Sequence, residues 1–320
     1  MYKSINIFTK ESDFESVREV LPDISLNYIE ETGVIKCVER PNYFYIESLE
    51  DNNVVSFGVD DTWLGEKKSN VFYSFNKINW FSLSLVSSLT LSKNQHVYFK
   101  SDGSNLQKGE YTGNPNSNTI KSLFKTTKKF NVGGNVKILL NQNNNISNGG
   151  YQYLFLSLQV VDASNLELPA TTLSDYCYSY MFCDCTSLTQ APELPATELS
   201  SHCYQLMFYN CTSLITAPEL PATTLSDYCY DSMFHGCTSL ITAPELPATT
   251  LSDYCYNSMF YNCTKLNHIK CLATDMSANY CTTYWVDGVA STGTFIKHPD
   301  MNDWITGDSG IPENWNVVDY

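Results

Sequence analysis

Twelve cysteines punctuate this 320-residue chain, and most of them recur at fixed intervals. One column is Cys177, Cys203, Cys229 and Cys255; a second, eight residues further on, is Cys185, Cys211, Cys237 and Cys263. Thiols in that pattern would form disulfides, hold zinc or fill a core. A disulfide needs Cα atoms within about 7 Å, whereas eight helical residues would set Cys229 and Cys237 about 12 Å apart. Same-column neighbours on stacked units would come within about 5 Å, but their side chains would run parallel and each would have two equivalent partners. Cys281 is a fifth member of the first column, so one thiol there would stay unpaired. Zinc needs four converging ligands, and the Cys-x2–4-Cys…His spacing is missing; Cys183 and Cys185 are the one close pair. Free cysteine packs as a small hydrophobe, and buried thiol ladders are favoured over disulfides, with metal last.

Two further columns carry candidate ligand contacts. Glu167, Glu193, Glu219 and Glu245 repeat in step with the cysteines. Stacked about 5 Å apart they would repel by somewhat under 1 kcal/mol in water. Glu193, Glu219 and Glu245 would then make an acidic stripe for a cationic ligand or a divalent ion, or simply a solvated face. Tyr178, Tyr204, Tyr230 and Tyr256 form an aromatic column, with Tyr209 and Tyr261 nearby. If exposed, Tyr204, Tyr230 and Tyr256 would stack on sugars or anchor a protein; packing between units is the reading with more weight. Asp175, Asp227 and Asp253 stand where they would cap helices. His202, His235 and His268 fall at different places in the unit and form no column, so no catalytic triad follows. Two glycosylation sequons, at Asn210 and Asn262, are discounted because each contains a core cysteine. The sequence is therefore read as non-enzymatic, with no cofactor and no metal.

The elements that position these columns come from a repeat of 26 residues. Segments 169–194, 195–220, 221–246 and 247–272 align without a gap. Half a unit precedes them at 151–168, with Leu158 where the second cysteine would stand; 281–298 is a degraded unit and 299–320 a cap. A period of this length with atypical ends implies a solenoid. Thr250 and Asp253 suggest a capping box, and Leu251, Cys255, Met259 and Cys263, recurring every four residues, suggest a helical face. "LITAPEL" would be the extended part, very short or kinked because Pro244 removes a ladder amide.

These residues resemble the BspA-like leucine-rich repeats of Bacteroidetes surface proteins. "MFHGCTSL" (233–240) carries that family's Phe-x-x-Cys-x-x-Leu, and "ELP" (245–247) its Leu-Pro; Met233 and Ala243-Pro244 depart from its usual residues. The resemblance covers about 151–298 and implies adhesion or protein binding at a cell surface or outside the cell.

Upstream, "ISLNYIEETGVIKCVE" reads as a hairpin-like pair within an N-terminal segment, 1–40, that also holds the helix-like "ESDFESVREVL". Residues 41–140 alternate β-rich runs with turns, as in a β-sandwich, and 141–150 read as a polar linker. The expected fold class is thus α+β/β: a β-sandwich-like domain followed by a leucine-rich-repeat-like solenoid with a C-terminal cap.

Net charge is −15, and no Lys or Arg lies between Lys137 and Lys265. That distribution disfavours nucleic acid and anionic membranes, and suits cationic, neutral or carbohydrate partners. No apolar run is long enough to span a membrane, and the first residues do not read as a signal peptide. The expected function is non-catalytic recognition, an adhesin or interaction protein. The alternatives are a virion or prophage tail component that binds a receptor, and a glycan-binding accessory module.

Overall fold

A computed structural model describes residues 24–29, 34–39, 42–57, 71–101, 124–140 and 148–320. β1 (Ile24–Ile29) and β2 (Val34–Glu39) pair antiparallel, as the hairpin-like text suggests. The helix-like text ahead of them, the turn between them and residues 141–147 of the polar linker lie outside the described residues.

Alternating side chains then build two sheets. In β3 (Phe44–Ser48) Phe44, Ile46 and Ser48 point inward, and in β8 (His96–Ser101) Val97, Phe99 and Ser101 do the same. This period of two is the signature of a strand with one buried face. β4 is Asn53–Phe57, β5 Val71–Ser74, β6 Phe81–Ser82, β7 Ser88–Leu91, β9 Phe124–Thr126, β10 Phe130–Asn135 and β11 Asn165–Glu167. One sheet has the order β11-β10-β3-β8-β5-β6 and the other β7-β4-β9. Phe44 of the first sheet stacks on Phe124 of the second at 5.7 Å, and Phe99 meets Phe124 at 5.6 Å. β11 already belongs to the repeats and pairs parallel with β10. Phe155 stacks on Phe44 at 6.1 Å, so one hydrophobic core runs from the sheets into the repeats.

The repeats overturn the expected fold class. Among the described residues 26% are strand and only 3% helix, organised into several sheets, so the helix-and-strand unit expected of a leucine-rich-repeat-like solenoid is not what the repeats adopt. Between Glu167 and His268 there is neither a helix nor a regular strand. The "LITAPEL" segments make only isolated bridges, such as Thr216 to Thr242 and Thr242 to His268, as prolines without amides impose.

What replaces the helix is a wall of consecutive turns. Tyr176, Tyr180 and Asp184 have φ of 57, 58 and 58°, and the same left-handed residues recur every four positions in the next three units. Amides alternate in their partners. Cys177, Met181 and Cys185 donate to carbonyls three residues back, at Ser174 (3.3 Å), Tyr178 (3.2 Å) and Phe182 (3.0 Å). Tyr176, Tyr178, Tyr180 and Phe182 donate instead to Ser201 (3.1 Å), Cys203 (3.0 Å), Gln205 (2.9 Å) and Met207 (2.9 Å) of the following unit. A turn closed by an i to i+3 bond with positive φ at its third residue is a type II turn. The backbone therefore satisfies itself half within a unit and half between units, as buried amides must.

Side chains follow the same rhythm, two inward and two outward. In 227–237, Cys229, Tyr230, Met233, Phe234 and Cys237 are buried, while Asp227, Tyr228, Asp231, Ser232 and His235 face out. Units stack through these residues. Phe155, Phe182, Phe208, Phe234 and Phe260 form one internal column with centroids 5.1, 5.6, 5.6 and 5.9 Å apart. Trp285 closes the stack, resting on Tyr256 at 6.3 Å and Phe260 at 6.2 Å, and Trp304 covers its other side at 5.6 Å. A parallel sheet of β12 (His268–Cys271), β13 (Thr294–Lys297) and β14 (Asn316–Asp319) ends the molecule. Among the described residues no helix is long and apolar enough to cross a membrane.

Candidate binding surfaces

The structure separates the two expected ligand columns. Tyr204, Tyr230 and Tyr256 are each only 1% exposed. Their rings stack on one another at 5.8 and 6.1 Å inside the wall, where no sugar or partner reaches them, so they are packing residues. Burial also holds their phenols well above the ordinary tyrosine range.

Glu193, Glu219 and Glu245 do lie exposed. Glu245 is paired with Lys270 at 2.9 Å, and that ammonium also sits 3.7 Å from the Tyr320 ring centroid. At the other end of the row, Glu167 accepts a hydrogen bond from Asn42 Nδ2 at 2.6 Å.

Two residues before each buried tyrosine stands an outward aromatic column that spacing alone did not single out. Tyr176, His202, Tyr228, Tyr254 and Tyr280 stack with centroids 4.4, 4.4, 4.4 and 4.8 Å apart. Their planes lie within 25° of parallel, so the faces cover one another and the edges and hydroxyls meet solvent. Tyr280, last in the row, is 59% exposed. A second, shorter row joins Tyr209, His235 and Tyr261 at 4.6 and 4.7 Å. His202 and His235 fall in different rows, as their different places in the unit imply, and each stands in a column of tyrosines. The available signal was the exchange of His for Tyr at a 26-residue offset.

Polar groups lie between the two rows. Gln205 Nε2 donates to Asp231 Oδ2 at 2.8 Å, and Ser232 Oγ donates to Asp231 Oδ1 at 3.0 Å. Burial raises the Asp231 carboxyl above its ordinary range, and these two donors oppose the rise. The expected capping aspartates have no helix to cap. Asp175 accepts instead from the Ser201 amide at 3.1 Å, Asp227 from the Asp253 amide at 3.2 Å and Asp253 from the Asn279 amide at 2.8 Å. They pin each unit to the next.

Eleven of the twelve cysteines, all but Cys37, are free and buried. Burial pushes Cys203, Cys263 and Cys271 up to about 12, which leaves almost no thiolate at neutral pH. Among the described residues no group of three His, Cys, Asp or Glu side chains is placed to hold a metal ion. Residues 138–264 carry eleven Asp and Glu and no Lys or Arg, so the field outside the repeats is negative. No protein-family model, no curated protein and no solved structure matches the chain.

Proposed function

We propose that the chain is a non-catalytic recognition protein that binds a protein on a cell surface through the outward wall of its repeats. The observation that carries this reading is the Tyr176–His202–Tyr228–Tyr254–Tyr280 row on left-handed backbone. All five residues have φ between 53 and 57°, a conformation that costs a side chain roughly 1–2 kcal/mol. Four stacked pairs at about 0.5–1.5 kcal/mol each offset much of that cost. Asn or Gly would meet the same turns with no strain to offset, as Asn210, Gly236, Asn262 and Gly288 do eight residues further along each unit. Stability alone therefore gives no reason for a row of rings there, while protein recognition does, because tyrosine edges and hydroxyls are frequent interface anchors. The resemblance of 151–298 to BspA-like surface proteins points to the same kind of role, and the negative field suits a neutral or cationic partner.

The test is binding of the full chain to a panel of bacterial and animal cells, before and after protease treatment of the cells. Tyr228→Asn and Tyr254→Asn keep the turn conformation and remove the rings. The expected outcome is protease-sensitive binding that drops at least about tenfold in the double variant, with an unchanged circular dichroism spectrum. Binding to no cell, or binding that the double variant leaves intact, would refute the proposal.

A further inference from the structure

The outer face of the six-stranded sheet carries rings that the core does not use. In β3 and β8 the outward positions are Tyr45, Glu47, His96, Tyr98 and Lys100. Tyr45 lies 5.1 Å from the His96 ring and 5.9 Å from Tyr98. A Cβ at Gly133 of β10 would collide with the Tyr45 phenol, so this glycine lets the ring lie flat across the strand. Beside the flattened ring, where β11 joins the sheet to the first repeats, runs a groove of about 480 Å³. That is within the 300–1,000 Å³ of small-molecule sites.

The polar lining comes from both parts of the molecule: Asn42 and Tyr45 from the sheet, Asn165 and Glu167 from β11, and Glu193 from the next unit. Asn42 orients Glu167 through the 2.6 Å bond already described. Among the described residues no Lys or Arg lines the groove. From this arrangement we infer a binding site for a neutral oligosaccharide, with Tyr45 as the platform for a sugar ring and Asn42, Asn165, Glu167 and Glu193 as partners for its hydroxyls.

Two competing ligand classes leave something unsatisfied. An anionic sugar or phosphate would face two carboxylates with no counter-charge among the described lining residues. An aliphatic ligand would desolvate amides and carboxylates without returning hydrogen bonds. A cationic peptide would satisfy the carboxylates, and its backbone carbonyls would accept from the amides of Asn42 and Asn165; it is the one competitor that the oligolysine arm of the titration must separate from a polyol. A polyol both donates and accepts, and bonds from its hydroxyls to carboxylates are among the stronger ones available. Burial, followed by the nearby Glu47, raises the Tyr45 phenol above its ordinary range, so it too remains a donor at neutral pH.

This site is separate from the tyrosine wall and does not depend on the function proposed for it. The experiment is isothermal titration of the full chain with cello-, xylo-, manno- and malto-oligosaccharides, polygalacturonate and an oligolysine peptide. At least one neutral chain should bind, and the two charged probes should not. Tyr45→Ala should weaken that binding about tenfold, Tyr45→Phe should largely retain it, and Glu193→Gln, on an exposed side chain that cannot upset folding, should weaken it several-fold. Tyr228→Asn and Tyr254→Asn should leave it unchanged, so loss of cell binding and loss of sugar binding are told apart. The inference is overturned if no neutral chain binds, if a charged probe binds instead, or if Tyr45→Ala and Glu193→Gln both bind as the parent does.

Discussion

The hydroxyls of Tyr178 and Tyr230 are buried without a hydrogen-bond partner. Their rings are fully used: Tyr178 lies 5.6 Å from Tyr151 and 5.7 Å from Tyr204, and Tyr230 lies 5.8 Å from Tyr204 and 6.1 Å from Tyr256. Replacing either by Phe keeps the stack and removes a polar atom whose burial costs roughly 1–3 kcal/mol. Each substitution should therefore stabilise the protein by about 1 kcal/mol or more. Tyr204 separates the two sites, so their effects should add to about 2 kcal/mol, within about 0.5 kcal/mol. In urea, with a slope of about 1–3 kcal/mol/M, each midpoint should rise by roughly 0.3–1 M at constant slope. Unfolding followed by tryptophan fluorescence and far-ultraviolet circular dichroism would measure this. A lower midpoint for either single variant would refute the reasoning, since it would mean that the hydroxyl contributes a bond.

Thiol titration should find few of the twelve cysteines reactive in the native protein and close to twelve after denaturation without reductant; a count near zero after denaturation would mean disulfides. Burial lowers the affinity of His202 and His235 for protons, with Asp175 and Asp227 partly opposing this at His202. The folded state thus binds fewer protons than the unfolded one, so their contribution to stability is complete above about pH 6.5 and is lost as pH falls toward the folded values. His202→Tyr with His235→Tyr should keep both rows and flatten that acid-side slope in urea midpoints measured from pH 7 to pH 5; an unchanged slope would show that other groups cause it. Gly236→Ala places a Cβ at φ 74° against the Asn210 carboxamide, whereas Gly149→Ala, at the similar φ of 64°, meets only the Gln152 side-chain oxygen at 3.3 Å. Thermal melts should therefore show the larger drop for Gly236→Ala, beyond the roughly 1–2 kcal/mol of backbone strain, and equal drops would remove the proposed contact.

The repeat, its register and its buried columns were legible because stacking copies every side-chain contact at a fixed 26-residue offset. The helix assigned to Leu251, Cys255, Met259 and Cys263 was an error of period. On an α-helix, positions four apart drift by about 40° per step, so three steps would carry Cys263 well off the face of Leu251. A strict period of four, with inward pairs such as Cys229-Tyr230 and Met233-Phe234, matches a chain of turns. Asn and Gly at 210, 236, 262 and 288 marked the left-handed position, but tyrosine, histidine, leucine and serine at the equivalent positions concealed it. The outward aromatic column was missed for a different reason: His202 interrupts its tyrosines, whereas the in-and-out difference between Tyr228 and Tyr230 would also hold on a helix, where residues two apart lie about 200° apart. The groove beside Tyr45 had no sequence signal, because it needs β11 to cross from the repeats into the N-terminal sheet.

The cysteines that first suggested chemistry are accounted for by the backbone around them. Cys211, Cys237 and Cys263 each point their thiol at the carbonyl of the phenylalanine in the preceding unit, at 3.2, 3.1 and 3.0 Å. Cys185 does the same to Phe155 at 3.0 Å. The Phe182 carbonyl already accepts the Cys185 amide at 3.0 Å, so the Cys211 thiol takes up its second lone pair. A methyl group would leave that acceptor half used, and a hydroxyl would be a poorer fit to an apolar core. At its start the column fails where this logic predicts. At the position of the second cysteine in the first half unit stands Leu158, and among the described residues no earlier turn wall presents a phenylalanine carbonyl to it. A thiol stands at this position in all four full units, but Val289 takes its place in the degraded unit 281–298 although the Phe260 carbonyl precedes it, so the thiol's bond adds to the packing without dictating the residue.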